Sequence, residues 1–159
     1  MLYLKISGSI LTLVGAYLLS KNLNKKAESA LCETEGFLAL IRHISLEIDS
    51  FLMPMPEILR RVDKDILRKC GYRVDMAPSS LYELYEAVRF KSEKCRLLVY
   101  DLSRDVGSGQ KDEELKRLSY YGTLLEEEWR RLAAELPAKR KVNTTLAVSA
   151  ALGIIILMI

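Results

Sequence analysis

The sequence predicts an all-α protein: a cytoplasmic helical bundle flanked by N-terminal and C-terminal transmembrane helices. Apolar residues recur three and four positions apart through the middle of the chain, and no segment shows the alternation of a strand. Charged residues are almost absent from both ends, although they make up 28% of the 159 residues. Residues 1–20 contain one charged side chain, Lys5, and residues 142–159 contain none. The predicted domains are therefore residues 1–20 and 142–159 as transmembrane helices and residues 21–141 as the bundle.

The two apolar ends have the length of membrane-spanning helices. At about 1.5 Å per residue, residues 142–159 extend over roughly 27 Å, which is close to the thickness of a hydrocarbon core. The N-terminal stretch also has features of a signal peptide, but no small-x-small cleavage pattern follows Ser20. We therefore expect residues 1–20 to be retained as a helix.

Basic residues next to the apolar ends predict the orientation in the membrane. Positive residues that flank a membrane helix tend to stay in the cytoplasm. Both flanks on the side of the middle segment are basic: Lys21, Lys25 and Lys26, then Lys139, Arg140 and Lys141. The middle segment is therefore predicted to be cytoplasmic, with both chain termini across the membrane.

Small residues at four-residue spacing lie in both apolar ends. In the N-terminal end the spacing joins Gly8, Thr12 and Ala16. In the C-terminal end it joins either Ala147 with Ala151 or Ser149 with Gly153. Such spacing allows two helix backbones to approach closely, but it also occurs in helices that face lipid. The sequence leaves these alternatives open.

A long amphipathic helix is predicted over residues 27–52, and it forms the first arm of a helical hairpin. Pro54 and Pro56 end it, because proline lacks a donor and disfavours helix in the residue before it. Shorter cap helices are predicted next. One runs from Pro56 to Cys70 and closes at Gly71.

Two further cap helices precede the second arm of the hairpin. Ser80 with Glu83 predicts a capping box, and the helical stretch that follows is broken near Ser92 and extends to Val106. Residues 107–109, Gly-Ser-Gly, form the strongest internal break.

The second long arm restarts near Lys111 or Asp112, and Pro137 is predicted to interrupt it near the membrane. Its buried seam alternates spacings of three and four: Leu115, Leu118, Gly122, Leu125, Trp129, Leu132 and Leu136.

No residue pattern predicts catalysis, a cofactor or a metal. The only histidine, His43, and the cysteines Cys32, Cys70 and Cys95 lack the short spacing of zinc ligands, and Cys70 and Cys95 occupy expected core positions. An odd, widely spaced set of cysteines also fits a reducing compartment. The acidic runs at residues 112–114 and 126–128 are interpreted as solvated helix faces, because basic residues lie three or four positions away.

Other binding classes are excluded on similar grounds. Residues 107–109 lack the strand and the Gly-Lys-Ser/Thr of a phosphate-binding loop. Basic and aromatic residues do not interleave, so nucleic acid is not an expected partner. We expect no enzyme, and a membrane-tethered helical module that binds proteins.

Several motifs, in order, resemble the stage III sporulation protein AB family of spore-forming bacteria. The matching segments are Leu46-Glu47-Ile48, Pro54-Met55-Pro56-Glu57-Ile58-Leu59, Val106-Gly107, Leu125-Glu126, Lys141-Val142 and the stretch from Leu146 to Leu157. The chain departs from the family pattern at three positions. Gln110 stands in place of an aspartate, Glu114 in place of a glutamine and Ala147 in place of a glycine.

The resemblance implies a platform component of the channel complex between mother cell and forespore, in the outer forespore membrane on the mother-cell side. The family is similar in fold to the cytoplasmic domains of inner-membrane platform proteins of type II secretion and type IV pilus systems. It implies a cytoplasmic secretion-type ATPase, other membrane proteins and the lipid membrane as partners, and it leaves homo-oligomerisation open. The alternative is a membrane-anchored regulatory or sensor protein that binds a soluble ligand.

The turns at the tip of the hairpin are the predicted partner-binding site. Breaks rich in Pro and Gly present backbone groups rigidly, and two arms of this length place the turns roughly 40–45 Å from the membrane. The predicted binding residues are Pro54, Pro56, Glu57, Gly107, Gly109, Gln110 and Lys111. The alternative is that both turns are simple connections.

Overall fold

The computed structural model describes residues 2–51, 53–107 and 109–158, and their side chains except those of residues 2–10, 155, 157 and 158. Over these residues the chain is helical, without a strand, which confirms the all-α fold class. Its helices are α1 (Leu2–Phe51), α2 (Met55–Arg61), α3 (Lys64–Lys69), α4 (Leu81–Ala87), α5 (Glu93–Asp105) and α6 (Lys111–Met158).

Both long helices are continuous between the apolar ends and the middle of the chain. The N-terminal apolar residues and the amphipathic residues up to Phe51 belong to one helix, α1. The predicted interruption at Pro137 is wrong, because α6 continues through this residue. Proline removes one N–H donor, and the exposed position of Pro137 leaves room for its ring on the outside of the helix. No helix in the described ranges contains a stretch that is both long and apolar enough to cross a membrane.

The prediction of one cap helix from Pro56 to Cys70 is wrong, because two helices, α2 and α3, form in this segment. Val62 is extended, with ψ at 134°. Asp63 follows as the N-cap of α3, and its Oδ1 accepts a hydrogen bond of 2.9 Å from the backbone N–H of Asp65. An aspartate that bonds to nearby backbone favours a new helix start over continuation of the old helix. The predicted closure at Gly71 is confirmed by its φ of 91°.

The caps of α4 and α5 agree with the predicted boundaries. Ser80 Oγ accepts from the N–H of Glu83 at 3.1 Å, but the Glu83 carboxylate bonds to the N–H and hydroxyl of Ser79 and not to Ser80. Ser92 is the N-cap of α5, so the predicted break near this residue is confirmed. Its Oγ accepts from the N–H of Cys95 at 3.2 Å.

The chain divides into two compact units, called here the terminal unit and the central unit. The terminal unit comprises the residues up to Glu28 and those from Ala133 onward, and the central unit comprises Ser29–Leu132. The membrane boundaries predicted at residues 20 and 142 stay predictions.

The core of the central unit includes residues from all six helices. On α6 the predicted seam is confirmed, since Leu118, Leu125 and Leu132 are buried and Trp129 packs against the core. Fully buried side chains of the other helices surround it: Phe37, Leu40, Ile44, Ile58, Leu59, Leu84 and Leu102, with Leu67 of α3 also buried.

In the terminal unit, α1 packs against α6 through small and polar residues. Asn143 Nδ2 donates to Asn24 Oδ1 at 3.0 Å, and the hydroxyls of Ser20 and Thr144 are 3.3 Å apart. Ala147 and Ala151 are buried, whereas Ser149 and Gly153 are exposed. The structure thus selects the Ala147–Ala151 alternative, whereas the N-terminal pattern includes Gly8, whose surroundings lie outside what the structure describes.

Candidate functional site

The two turns predicted to bind a partner lie side by side in the central unit. They enclose a cavity of about 180 Å³. Its lining includes four of the predicted residues, Pro54, Gly107, Gly109 and Lys111, together with Ile48, Met53, Met55 and Glu114. The other predicted residues, Pro56, Glu57 and Gln110, are exposed and do not line it. We call residues 53–57 with 107 and 109–111 the paired turns.

A buried carboxylate fixes the second of the paired turns. Both oxygens of Glu114 accept from the N–H of Gly107 at 3.0 Å, and its Oε1 accepts from the N–H of Gly109 at 2.5 Å. The negative charge lies in the first turn of α6, where the helix dipole stabilises it. Gly107 has a φ of 123°, which favours glycine. These two amides are therefore engaged within the chain and are not presented to a partner.

A lysine joins α6 to the end of α1. Lys111 Nζ donates to the backbone oxygen of Asp49 at 2.6 Å and lies 2.9 Å from Asp49 Oδ1. A positive charge near the last carbonyls of a helix is stabilising. Lys111 thus holds the turn in place, whereas Glu57 pairs with Arg61 on its own helix at 3.3 Å, with both side chains exposed.

The basic residues predicted to flank the membrane lie in the terminal unit. Lys21 and Lys25 line a cavity of about 370 Å³ together with Tyr17 and Val148. Lys26 and Lys141 are exposed.

Two residues of the C-terminal basic flank form ion pairs within the terminal unit. Arg140 pairs with Glu28 at 2.5 Å, and Lys139 pairs with Glu135 at 2.7 Å.

Sequence reasoning missed two buried carboxylates that hold the connection between α4 and α5. Both oxygens of Glu33 on α1 accept from the N–H of Lys91 at 3.1 Å. Glu128 on α6 is fully buried and accepts from Ser92 Oγ at 3.1 Å and from Arg131 at 2.6 and 2.9 Å. Lys94 Nζ lies 3.6 Å from the same carboxylate.

The pKa values of these two carboxyl groups shift in opposite directions. Burial raises the pKa of Glu33, and the hydrogen bonds from the backbone of Lys91 and Ser92 offset only part of the rise. Burial also raises the pKa of Glu128, but its hydrogen bonds to Arg131 and Ser92 outweigh burial, so the pKa is lowered overall.

The prediction of solvated acidic faces is wrong at Glu128 and at Glu114, because both side chains are buried. For Glu128, the spacing of its neighbours in the sequence already indicated burial. Tyr121, Leu125, Glu128 and Leu132 follow one another at spacings of four, three and four, and all four are buried. A carboxylate on such a stripe faces the core, where it requires partners of its own.

Two of the three cysteines, Cys70 and Cys95, are buried in the core, as expected, and Cys32 is exposed. Desolvation raises the pKa of the Cys95 thiol to about 12 and that of Cys70 still further. Among the described residues, no group of three or more His, Cys, Asp or Glu side chains is placed to hold a metal ion.

The fold and the paired turns define a class of protein: an all-α chain with two long helices, α1 and α6, and the short helices α2 to α5 between them in sequence. The family model described as stage III sporulation protein AB (spore_III_AB) matches residues 5–159. The chain therefore belongs to the stage III sporulation protein AB family, which implies a role in sporulation. No curated protein and no solved structure matches the chain.

Proposed function

We propose that this chain is a membrane-anchored platform of the sporulation channel between mother cell and forespore, on the mother-cell side. In this proposal the paired turns engage a cytoplasmic secretion-type ATPase and the terminal unit contacts other membrane proteins. The observation that carries it is the convergence of both turns on one surface, although more than 50 residues separate Pro54 from Gly107 in sequence.

The terminal unit supports the membrane anchor through its exposed apolar side chains. Large apolar residues on such a surface are typical of contact with lipid or with another membrane helix. They occur on both helices: Leu11, Leu13, Val14, Tyr17, Leu18 and Leu19 of α1, and Leu146, Val148, Leu152, Ile154 and Ile156 of α6. Exposed basic residues adjoin these apolar stretches, after the one in α1 and before the one in α6, and they suit the anionic cytoplasmic face of a membrane.

The central unit supports a binding role for the paired turns. Glu114 and Lys111 fix the shape of the paired turns from inside, so that Pro54, Pro56, Glu57 and Gln110 remain exposed on a preformed surface. A preformed surface loses little conformational entropy when a partner binds.

Charge reversal at one exposed residue tests the platform. Glu57→Lys is expected to weaken recruitment of the sporulation ATPase to the membrane and to lower spore yield. Glu127→Lys is the matched control, because Glu127 is an exposed glutamate elsewhere on the central unit. Lys111 is unsuitable, since its reversal also breaks the contact with Asp49. Normal recruitment and sporulation with Glu57→Lys would contradict the proposal.

The proposed orientation of the chain in the membrane can be tested with the exposed thiol of Cys32. A membrane-impermeant maleimide is expected to label Cys32 only after sporulating cells are lysed, because the central unit is proposed to face the cytoplasm. Labelling must disappear in Cys32→Ser, since Cys70 and Cys95 are buried. Labelling of Cys32 in intact cells would reverse the proposed topology.

A further inference from the structure

A cavity on the central unit, away from the paired turns, is strongly basic. It has a volume of about 550 Å³ and is bordered by α1, by the end of α3 and by the chain before α5. Five cationic side chains line it: Arg68, Lys69, Arg73, Arg89 and Lys91. The one carboxylate in the lining, Glu33, is buried, accepts hydrogen bonds from the N–H of Lys91 and offsets part of the charge of Lys91.

A second cavity, of about 440 Å³, adjoins the first, since Arg68 and Arg73 line both. It adds Arg60 and Lys64 and one acidic side chain, Asp75. We call the two cavities together the basic groove.

The second cavity differs from the first in its apolar surface. Val74 is 54% exposed and Met76 is 78% exposed, and both line it. The loop that carries them is ordered by the Tyr72 hydroxyl, which donates to the backbone oxygen of Met76 at 2.9 Å. The basic groove therefore combines positive charge with a preformed apolar site.

The cations of the basic groove are available to a partner. Within the described ranges, neither Arg73 nor Arg89 forms an ion pair. Lys69 lies 3.3 Å from Glu35 and Arg68 lies 3.8 Å from Asp65, but these side chains are exposed. Ion pairs between exposed side chains contribute little to stability, so a carboxylate from a partner can replace them at little cost.

We propose that the basic groove binds an acidic segment of another protein, one that also carries a large apolar side chain. The cations of the groove attract the carboxylates of such a segment, and Val74 and Met76 provide an apolar surface on which its apolar side chain packs. Arginine guanidinium groups bind carboxylates in bidentate geometry, which gives such a contact direction as well as charge.

Other occupants fit the groove less well. A single-stranded nucleic acid needs exposed aromatic rings for base stacking, and Tyr72, the one aromatic residue in the lining of these two cavities, is buried. A small phosphate compound does not use the apolar site at Val74 and Met76.

A second copy of the chain is a poorer occupant, because two carboxylates of its acidic runs, Glu114 and Glu128, are buried. The remaining acidic residues of these runs are exposed or half-buried but lie within the helix α6 and not in an extended segment. The segment therefore belongs to a different protein, and this inference does not depend on the ATPase contact of the paired turns.

The test measures binding of a fluorescent peptide of repeated Glu-Glu-Leu units to the full chain in nanodiscs of zwitterionic lipid. Arg73→Glu with Arg89→Glu is expected to weaken binding by about tenfold or more, since two attractive contacts become repulsive. Arg42→Glu with Lys116→Glu is the matched control. It makes the same change in net charge at exposed residues outside the groove and is expected to change affinity by about twofold or less.

The helix content of each variant is measured by circular dichroism to check that it folds. If Arg73→Glu with Arg89→Glu does not fold, Arg73→Gln with Arg89→Gln takes its place. Replacing leucine by serine in the peptide is expected to weaken binding as well. An equal loss in the groove and control variants would overturn the proposal in favour of net charge. Displacement of the peptide by inorganic phosphate at matched ionic strength would overturn it in favour of a small anion. Self-association that the groove variants abolish would overturn it in favour of a second copy.

Discussion

Glu128 on α6 accepts a hydrogen bond of 3.1 Å from the hydroxyl of Ser92, the N-cap residue of α5. The neighbouring residue, Lys91, donates its backbone N–H to Glu33 on α1. The start of α5 is therefore held between two buried carboxylates, one from each long helix. A buried carboxylate is tolerated only when it has such partners, so the contacts specify where α5 begins.

Ser92→Ala is expected to lower the free energy of unfolding by about 1–3 kcal/mol. The variant loses the N-cap bond to Cys95 and leaves Glu128 with one donor fewer. Thermal unfolding of the full chain in a mild detergent, followed by circular dichroism, measures the change. Ser119→Ala, at an exposed position, is the control and should stay within about 0.5 kcal/mol. Equal effects would mean that Ser92 does not anchor α5.

The second prediction concerns pH and Glu33. Because its pKa is raised, the native state binds a proton more tightly than the unfolded chain, whose carboxyl has the ordinary value of 4.5. The wild type therefore gains stability as pH falls toward 4.5 and loses it as pH rises through the native pKa. Glu33→Gln lacks this gain, so its stability relative to the wild type should decrease from about pH 7 to about pH 5.

Glu128→Gln is expected to show the opposite pH dependence of stability in the same measurement. The lowered pKa of Glu128 contributes stability that is present above 4.5 and is lost as pH falls through the native pKa. The variant should therefore be destabilised throughout the range from about pH 7 to about pH 5, with the difference from wild type closing only in stronger acid. Parallel pH profiles of the two variants would contradict both assignments.

Much of this fold could be predicted from the sequence, because spacing and caps act locally. The seam through Leu118 and Leu125 follows from helical periodicity alone, and the closure at Gly71 follows from the conformational freedom of glycine. The division of the second predicted helix was missed. It depends on the side chain of Asp63, which competes with helix continuation at a position that periodicity does not reveal.

The sites were less predictable, because they depend on which distant residues meet. The sequence identified both paired turns, but not that Glu114 occupies the amides of Gly107 and Gly109. Glu33 and Glu128 lie on apolar stripes, yet their partners come from the connection at residues 91–92, 58 and 36 positions away. Such contacts between distant segments are set by tertiary packing and have no local pattern.

The third prediction tests the buried face of α6. Leu125→Ala is expected to cost about 2–5 kcal/mol, because the side chain is fully buried and its removal leaves a cavity. Glu127→Ala, two residues further along the same helix and exposed, should stay within about 0.5 kcal/mol. Unfolding of the two variants under identical conditions makes the comparison. A similar cost at both positions would show that α6 is rotated from the described orientation.

The last prediction compares two glycines in the long helices. A Cβ atom at Gly36 would lie 2.6 Å from the backbone nitrogen of Cys70 and 2.7 Å from the backbone carbon of Lys69. These are backbone atoms, which cannot rotate away as a side chain does, so α1 and the end of α3 would have to separate. Gly36→Ala is therefore expected to destabilise the chain by about 1–3 kcal/mol, in spite of the higher helix propensity of alanine.

Gly122→Ala is the matched control for Gly36→Ala, because it makes the same substitution inside the other long helix. Its Cβ would lie 3.6 Å from Ile41 Cγ2, an ordinary van der Waals distance. This variant should be neutral or gain up to about 1 kcal/mol from helix propensity. Thermal unfolding of both variants in the same detergent compares their changes in stability. A gain in stability with Gly36→Ala would show that α1 does not approach α3 this closely, and the packing that opens the basic groove beside α3 would need revision.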